Sequence, residues 1–137
     1  MSIHNKSKEI FNLLSKYLTT DSKFNPMVKT KVIENQYPLV VFETRTNTLD
    51  SMTQDMFRLD MVRNLSFEIS VFAINKGNVT AEEICDELSN LICEVMQEYY
   101  GMQGGIDGKL QNINTAKATK YVLHFDCKWN VRQNRIY

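Results

Sequence analysis

Between Gly77 and Gly108 this chain has neither Lys nor Arg. Other residue types are scarce as well, with 2 His, 3 Cys and 2 Pro in 137 residues. His4 and His124 lie near opposite ends of the chain, and neither has the Cys, His or carboxylate spacing of a zinc site. His124 instead falls on the polar parity of an expected strand, which suits an interface or solvent role. Cys85 and Cys93 share one expected helix and stand about 12 Å apart along its axis, too far for a disulfide. They read as small core or boundary residues. An odd cysteine count, with a polar opening Met-Ser-Ile-His-Asn-Lys, leads to the expectation of a reducing cytoplasm and no secretory leader. The longest uninterrupted apolar run is Pro38 to Phe42, far short of the roughly 20 residues that cross a bilayer as a helix, so no membrane is expected. Gly101-Met102-Gln103-Gly104-Gly105 follows a helix where a phosphate cradle precedes one, and no Gly-Lys-Ser or Gly-Lys-Thr is present. Those glycines read as a helix cap and a flexible turn. No grouping of catalytic type emerges, so the expectation is a protein that is not an enzyme and has no cofactor and no metal.

The missing cations leave Glu82, Glu83, Asp86, Glu87, Glu94, Glu98 and Asp107 to give the segment Gly77 to Gly108 a charge of minus seven. Net charge over the whole chain is zero, so the remainder carries the opposite charge. Its last part is the most one-sided, with Lys109, Lys117, Lys120, Lys128, Arg132 and Arg135 against Asp126. The zero balance argues against a duplex binder that works by displacing counterions from phosphates. The distribution suggests that one surface attracts another surface of a second copy. Glu82, Glu83, Asp86 and Glu87 also suit the dipole of a helix N-terminus, which favours a solvated face over a divalent-metal cage.

Hydrophobic spacing divides 137 residues into one expected domain, 1–137. Ile10, Phe11, Leu13, Leu14, Tyr17 and Leu18 repeat at helical spacing and predict a helix over Ile3 to Leu18. Strands follow over Val28 to Glu34 and Leu39 to Thr44, with Asn35-Gln36-Tyr37-Pro38 as the turn. Arg45 to Met56 is polar and reads as a mobile loop. Phe57 to Asn75 alternates as one long strand, roughly 60 Å if straight at about 3.3 Å per residue. It must bend, and Arg63 beside Asn64 is the expected bulge. Thr80 and Glu83 form a capping box for a helix over Ala81 to Tyr100, ended by Gly101. A strand near Lys109 to Asn114 and a second long strand, Lys120 to Arg132, complete the chain. On the latter Tyr121, Leu123, Phe125, Cys127, Trp129 and Val131 share the apolar side. The fold class is α+β, a mostly antiparallel sheet of about five strands with two helices on one face, in the order α-β-β-β-α-β-β.

That order, with the stretch Gln36 to Phe42, the strand Leu65 to Phe72, the helix Ala81 to Tyr100 and the ending Tyr121 to Trp129, resembles the tail terminator or tail-completion proteins of long-tailed bacteriophages and phage-tail-like particles. The resemblance covers nearly the whole chain through patterns of fold. It implies a structural assembly protein of the virion, made in the host cytoplasm. Such a protein forms a ring, commonly a hexamer, that caps the completed tail tube, ends its polymerisation and offers a joining surface for the head or neck. The implied partners are copies of itself, the tail tube protein, a neck or connector protein and a sheath or terminator-adjacent protein, with DNA passing through the lumen without specific binding and no membrane. A head-completion or connector protein follows the same assembly logic and stays open as the alternative. A small-molecule-binding or nucleic-acid-binding α+β domain is the remaining class.

Two contacts are expected from charge and side-chain character. Glu83 and Glu87 of one subunit would face Lys120, Lys128 and Arg132 of the next. Leu49, Met52 and Met56, apolar residues in or beside a polar loop, would touch the tail tube.

Overall fold

A computed structural model of the protein describes residues 6–21, 24, 26–32, 36–49, 62–111, 113, 117–130 and 135–136. The elements are α1 (Lys6–Asp21), β1 (Met27–Lys29), β2 (Leu39–Leu49), β3 (Val62–Ala73), α2 (Ala81–Tyr100), β4 (Gln103–Leu110), β5 (Thr119–Asn130) and β6 (Arg135–Ile136). The fold is α+β, as expected. One sheet runs in the order β1-β2-β3-β5-β4, with the short β6 pairing the far end of β5. All pairings are antiparallel except β1 with β2.

Both helices pack on the same side of the sheet. From α1, Ile10, Leu14 and Leu18 are fully buried at a spacing of four, the stripe that a straight helix lays on a flat neighbour. From α2, Ile84, Leu88, Ile92, Val95 and Met96 do the same. They meet Val40 and Phe42 of β2, Leu65, Phe67, Ile69 and Val71 of β3, and Tyr121, Leu123, Phe125 and Trp129 of β5 in one core. The alternation read from β3 and β5 therefore marks the helix-covered side. The opposite side, called the open face because no helix among the described residues packs on it, carries a small buried apolar cluster of Leu39, Val41 and Phe72 with Tyr37 and Ile113 against it.

α2 keeps its expected bounds because both ends are chemically fixed. The Thr80 hydroxyl accepts the Glu83 amide at 3.2 Å, and Asn75 Oδ1 accepts the Ala81 amide at 2.8 Å. At the other end Gly101, at φ 61°, donates its amide to the Gln97 carbonyl. Tyr99 is 45 % exposed and lies against Tyr17 of α1, the ring centroids 5.0 Å apart and the planes tilted by 38°. α1 extends past Leu18 to Asp21, where the Thr19 and Thr20 hydroxyls bond to the carbonyls of Ser15 and Lys16.

The strand boundaries depart from expectation in several places. Arg45 to Leu49, read as the start of a mobile loop, continues β2, and its backbone pairs with β3 out to Leu49 opposite Arg63. Polar Thr and Asn residues tolerate a strand whose partner supplies the pairing. Residues 50–61 lie outside the described residues. Arg63 and Asn64 form no bulge, since β3 pairs with β5 in unbroken register from Val62 to Ala73. The irregularity is on the neighbouring strand, between Thr44 and Thr46, so Arg45 is the extra residue. Of the expected strand Val28 to Glu34, Val28 and Lys29 fall in β1 (Met27–Lys29) and residues 33–34 lie outside the described residues; β1 lies parallel to β2, so the two strands form no hairpin. β4 begins at Gln103, and the glycines read as a flexible turn are inside it. Gly104 is required there. A Cβ at that position, at φ 153°, would stand 2.1 Å from the His124 carbonyl oxygen of β5.

Candidate functional site

The core-facing residues leave the outer faces of α1 and α2, the open face of the sheet and the two sheet edges for interaction. On α2, Glu83 is exposed and Glu87 half-buried. With Asp86, Asn90, Leu91 and Glu94 they line a shallow depression of about 490 Å³. Asp86 is already engaged within the chain. Lys109 of β4 lies 3.9 Å away with its ammonium 4.7 Å from the Tyr121 ring centroid. Burial, followed by Asp86, holds the Tyr121 hydroxyl above its usual pKa.

Lys120 and Lys128 alternate with the buried residues of β5 and so project from the open face, opposite α2. The Lys120 ammonium lies 5.4 Å from the Phe72 ring centroid. The two groups of one expected contact are therefore on opposite sides of one sheet, and a single copy does not bring them together. Arg132, the third cation of that set, lies outside the described residues. So do Met52, Met56 and the side chain of Leu49, although the Leu49 backbone ends β2.

The open face also holds a polar group that sequence reasoning missed. Register places Glu43 directly opposite Glu68, and Glu68 opposite His124. Two carboxylates facing across adjacent strands repel. The bulge residue Arg45 offsets that repulsion by pairing with Glu68 and lying 3.4 Å from Glu43. The hydrogen bond to Glu68 and then the two negative charges raise the guanidinium pKa above its already high value. His124 Nε2 is 3.1 Å from Asp126 Oδ1 on the same face. The spacing Glu-Thr-Arg was visible in the sequence, but the register that sets Glu43 against Glu68 was not.

All three thiols are free. Cys85 is fully buried, with Sγ 3.7 Å from the Val71 carbonyl and 3.6 Å from that of Thr119. Burial first, then Asp86 and Glu82, pushes its pKa up to about 12. Burial raises Cys93 and takes Cys127 to about 11. Such thiols are poor nucleophiles at neutral pH, which agrees with their reading as packing residues. Among the described residues no group of three or more His, Cys, Asp or Glu is placed to hold a metal ion. No helix among them is long and apolar enough to cross a membrane.

No protein-family model matches the chain, and no curated protein matches it in sequence. What the surfaces offer is contact chemistry: a negative face on α2, a sheet face bearing Lys120 and Lys128 beside Glu43, Glu68 and Asp126, and two strand edges that pair with no further strand among the described residues.

Proposed function

We propose that this protein is a structural assembly protein of a phage or phage-tail-like particle. It joins copies of itself into a ring that caps the completed tail tube, ends polymerisation and presents a joining surface to the neck. The observation that carries the reading is an acidic patch on α2, at Glu83, Asp86 and Glu87, that a single copy does not bring to Lys120 and Lys128 on the other side of the sheet. Charged groups of opposite sign that cannot meet within one copy favour a head-to-tail contact between copies, and such contacts close into rings when the rotation permits. The helix-sheet core needs no partner to complete it, so the outer surfaces are left for assembly. Leu49, Met52 and Met56 are proposed to meet the tube, with Met suited to an adaptable apolar contact.

The test mixes the protein with polymerising tail-tube protein of its own particle and measures tube lengths by electron microscopy. Short, uniform, capped tubes are expected, and substituting Met52 and Met56 by Ser is expected to abolish capping while the chain stays folded. Unchanged tube lengths with the unmodified chain would refute the capping reading. Rings that ignore tubes and bind the portal end of the connector would replace it with a head-completion role.

A further inference from the structure

We propose that the seam between copies is an edge-to-edge contact, the β1 edge of one copy lying against the β4 edge of the next. This rests on the ring reading and takes the cation partners of the acidic α2 patch to be Lys29 and Lys31 at the β1 edge, in place of Lys120 and Lys128. Four of the exposed large hydrophobic residues lie on or beside these edges: Met27 and Val32, 39 % and 61 % exposed, at β1, and Ile106 and Leu110, 42 % and 51 % exposed, at β4. Isolated exposed apolar residues are ordinary, but pairs at both ends of one sheet point to something that covers them.

The sides of the sheet agree. Ile106 pairs with Leu123 and so faces the helix side, while Leu110 pairs with Lys120 and faces the open side. Met27 pairs with Leu39 and also faces the open side. On the helix side of the β1 edge is a groove of about 440 Å³, lined in part by Phe11, Thr30 and Phe42. Side by side, Leu110 meets Met27 on one surface and Ile106 meets that groove on the other. Strand direction agrees as well. Tracing the pairings across the sheet sets β4 antiparallel to β1, so rotation about an axis along the strands brings them together as an antiparallel ladder.

Charge selects which edges join. Exposed Lys29 and Lys31 mark the β1 side. On β4 exposed Asp107 is balanced by Lys109, and the Asp86 to Lys109 contact turns the acidic stripe of α2, including Glu83, toward that edge and leaves it net negative. Joining β1 to β1 or β4 to β4 sets like charges together, whereas β1 to β4 sets opposite charges together. The edges therefore disfavour a two-fold dimer and favour a head-to-tail closed ring. The occupant is a second copy of this chain.

The experiment measures the mass of the full chain by light scattering across a concentration series. Three samples accompany the unmodified chain: Lys29→Glu with Lys31→Glu, Glu83→Lys with Asp107→Lys, and both sets mixed or combined in one chain. Circular dichroism checks that each is folded. Either set alone is expected to raise the concentration of half-assembly about 10-fold or more. Mixing the two sets, or combining them, is expected to restore assembly. Variants that assemble like the unmodified chain would overturn the seam and leave the ring reading standing. Restoration by reversing Lys120 and Lys128 instead would overturn it too, moving the contact to the open face. An unmodified chain that is monomeric at every concentration would overturn self-pairing of the edges, while tube capping would still be decided by its own assay.

Discussion

Replacing Gly104 by Ala tests the edge of this fold most directly. The added Cβ would stand 2.1 Å from the His124 carbonyl oxygen and 2.8 Å from a ring carbon of Phe125. The first obstacle is backbone in the central strand β5, so it cannot swing aside like a side-chain tip. The position also sits at φ 153°, a region that L residues rarely adopt, at a cost of about 1–3 kcal/mol. Forcing a methyl group into filled space costs about 1–3 kcal/mol more, for a total of roughly 2–6 kcal/mol. For a chain of this size that corresponds to a fall in Tm of about 8–24 °C. Gly105 is the internal control. A Cβ there meets nothing within 4 Å, and Gly105→Ala is expected to change stability by less than about 1 kcal/mol. Urea unfolding of both variants gives the comparison. If Gly104→Ala falls within about 0.5 kcal/mol of Gly105→Ala, the close approach of β4 to β5 is refuted. A lower denaturant slope with lost amide protection confined to residues 103–110 would show β4 peeling from its neighbour to relieve the clash.

Removing the α2 caps should be measurable by thermal unfolding: Thr80→Ala and Asn75→Ala each remove an acceptor from a first-turn amide and should each cost about 1 kcal/mol. Cys85, Cys127 and Tyr100 have pKa values raised to about 12, 11 and 12, chiefly by burial, so the folded state prefers their neutral forms. Their contribution to stability is complete below the unfolded thiol pKa of about 8.5, and falls as pH rises through the window up to about 12. A urea midpoint that stays flat from pH 8 to 11 would contradict this. Titration with a disulfide reagent at pH 8 should leave Cys85 unreacted until the chain is unfolded, and immediate reaction of all three thiols would refute its burial.

Much of the fold was legible because its signals are local. Thr80, Glu83 and Gly101 delimit α2 through bonds spanning a few residues, and the alternation in β3 and β5 gives their buried side at once. The errors came where a distant partner decides. Arg45 to Leu49 is polar and looks like a loop, but it has β3 to pair with. Gly104 looks like a flexible point, but it is a strand position where only a hydrogen fits beneath the next backbone. An interrupted apolar pattern points to a bulge at Arg63, whereas the extra residue is Arg45 on the neighbouring strand, where it carries a cation between Glu43 and Glu68.

The same limit governs the assembly surfaces. Parity along β5 tells which of its residues face water, so Lys120 and Lys128 could be assigned to a polar face from sequence. It does not tell which strands are edges, because that depends on the order β1-β2-β3-β5-β4, in which β5 is central and the earlier β4 is outermost. Only that order turns Ile106, Asp107 and Leu110 into one end of the sheet and Met27, Lys29 and Lys31 into the other. Had β4 and β5 exchanged places, Lys109 and Asp107 would lie inside the sheet and the acidic flank would have no edge beside it. The lateral polarity of the molecule is thus a property of topology acting on an ordinary charge distribution. A change in Asp107 or Lys29 should therefore alter association strongly while leaving the core, and the stability it supplies, nearly untouched.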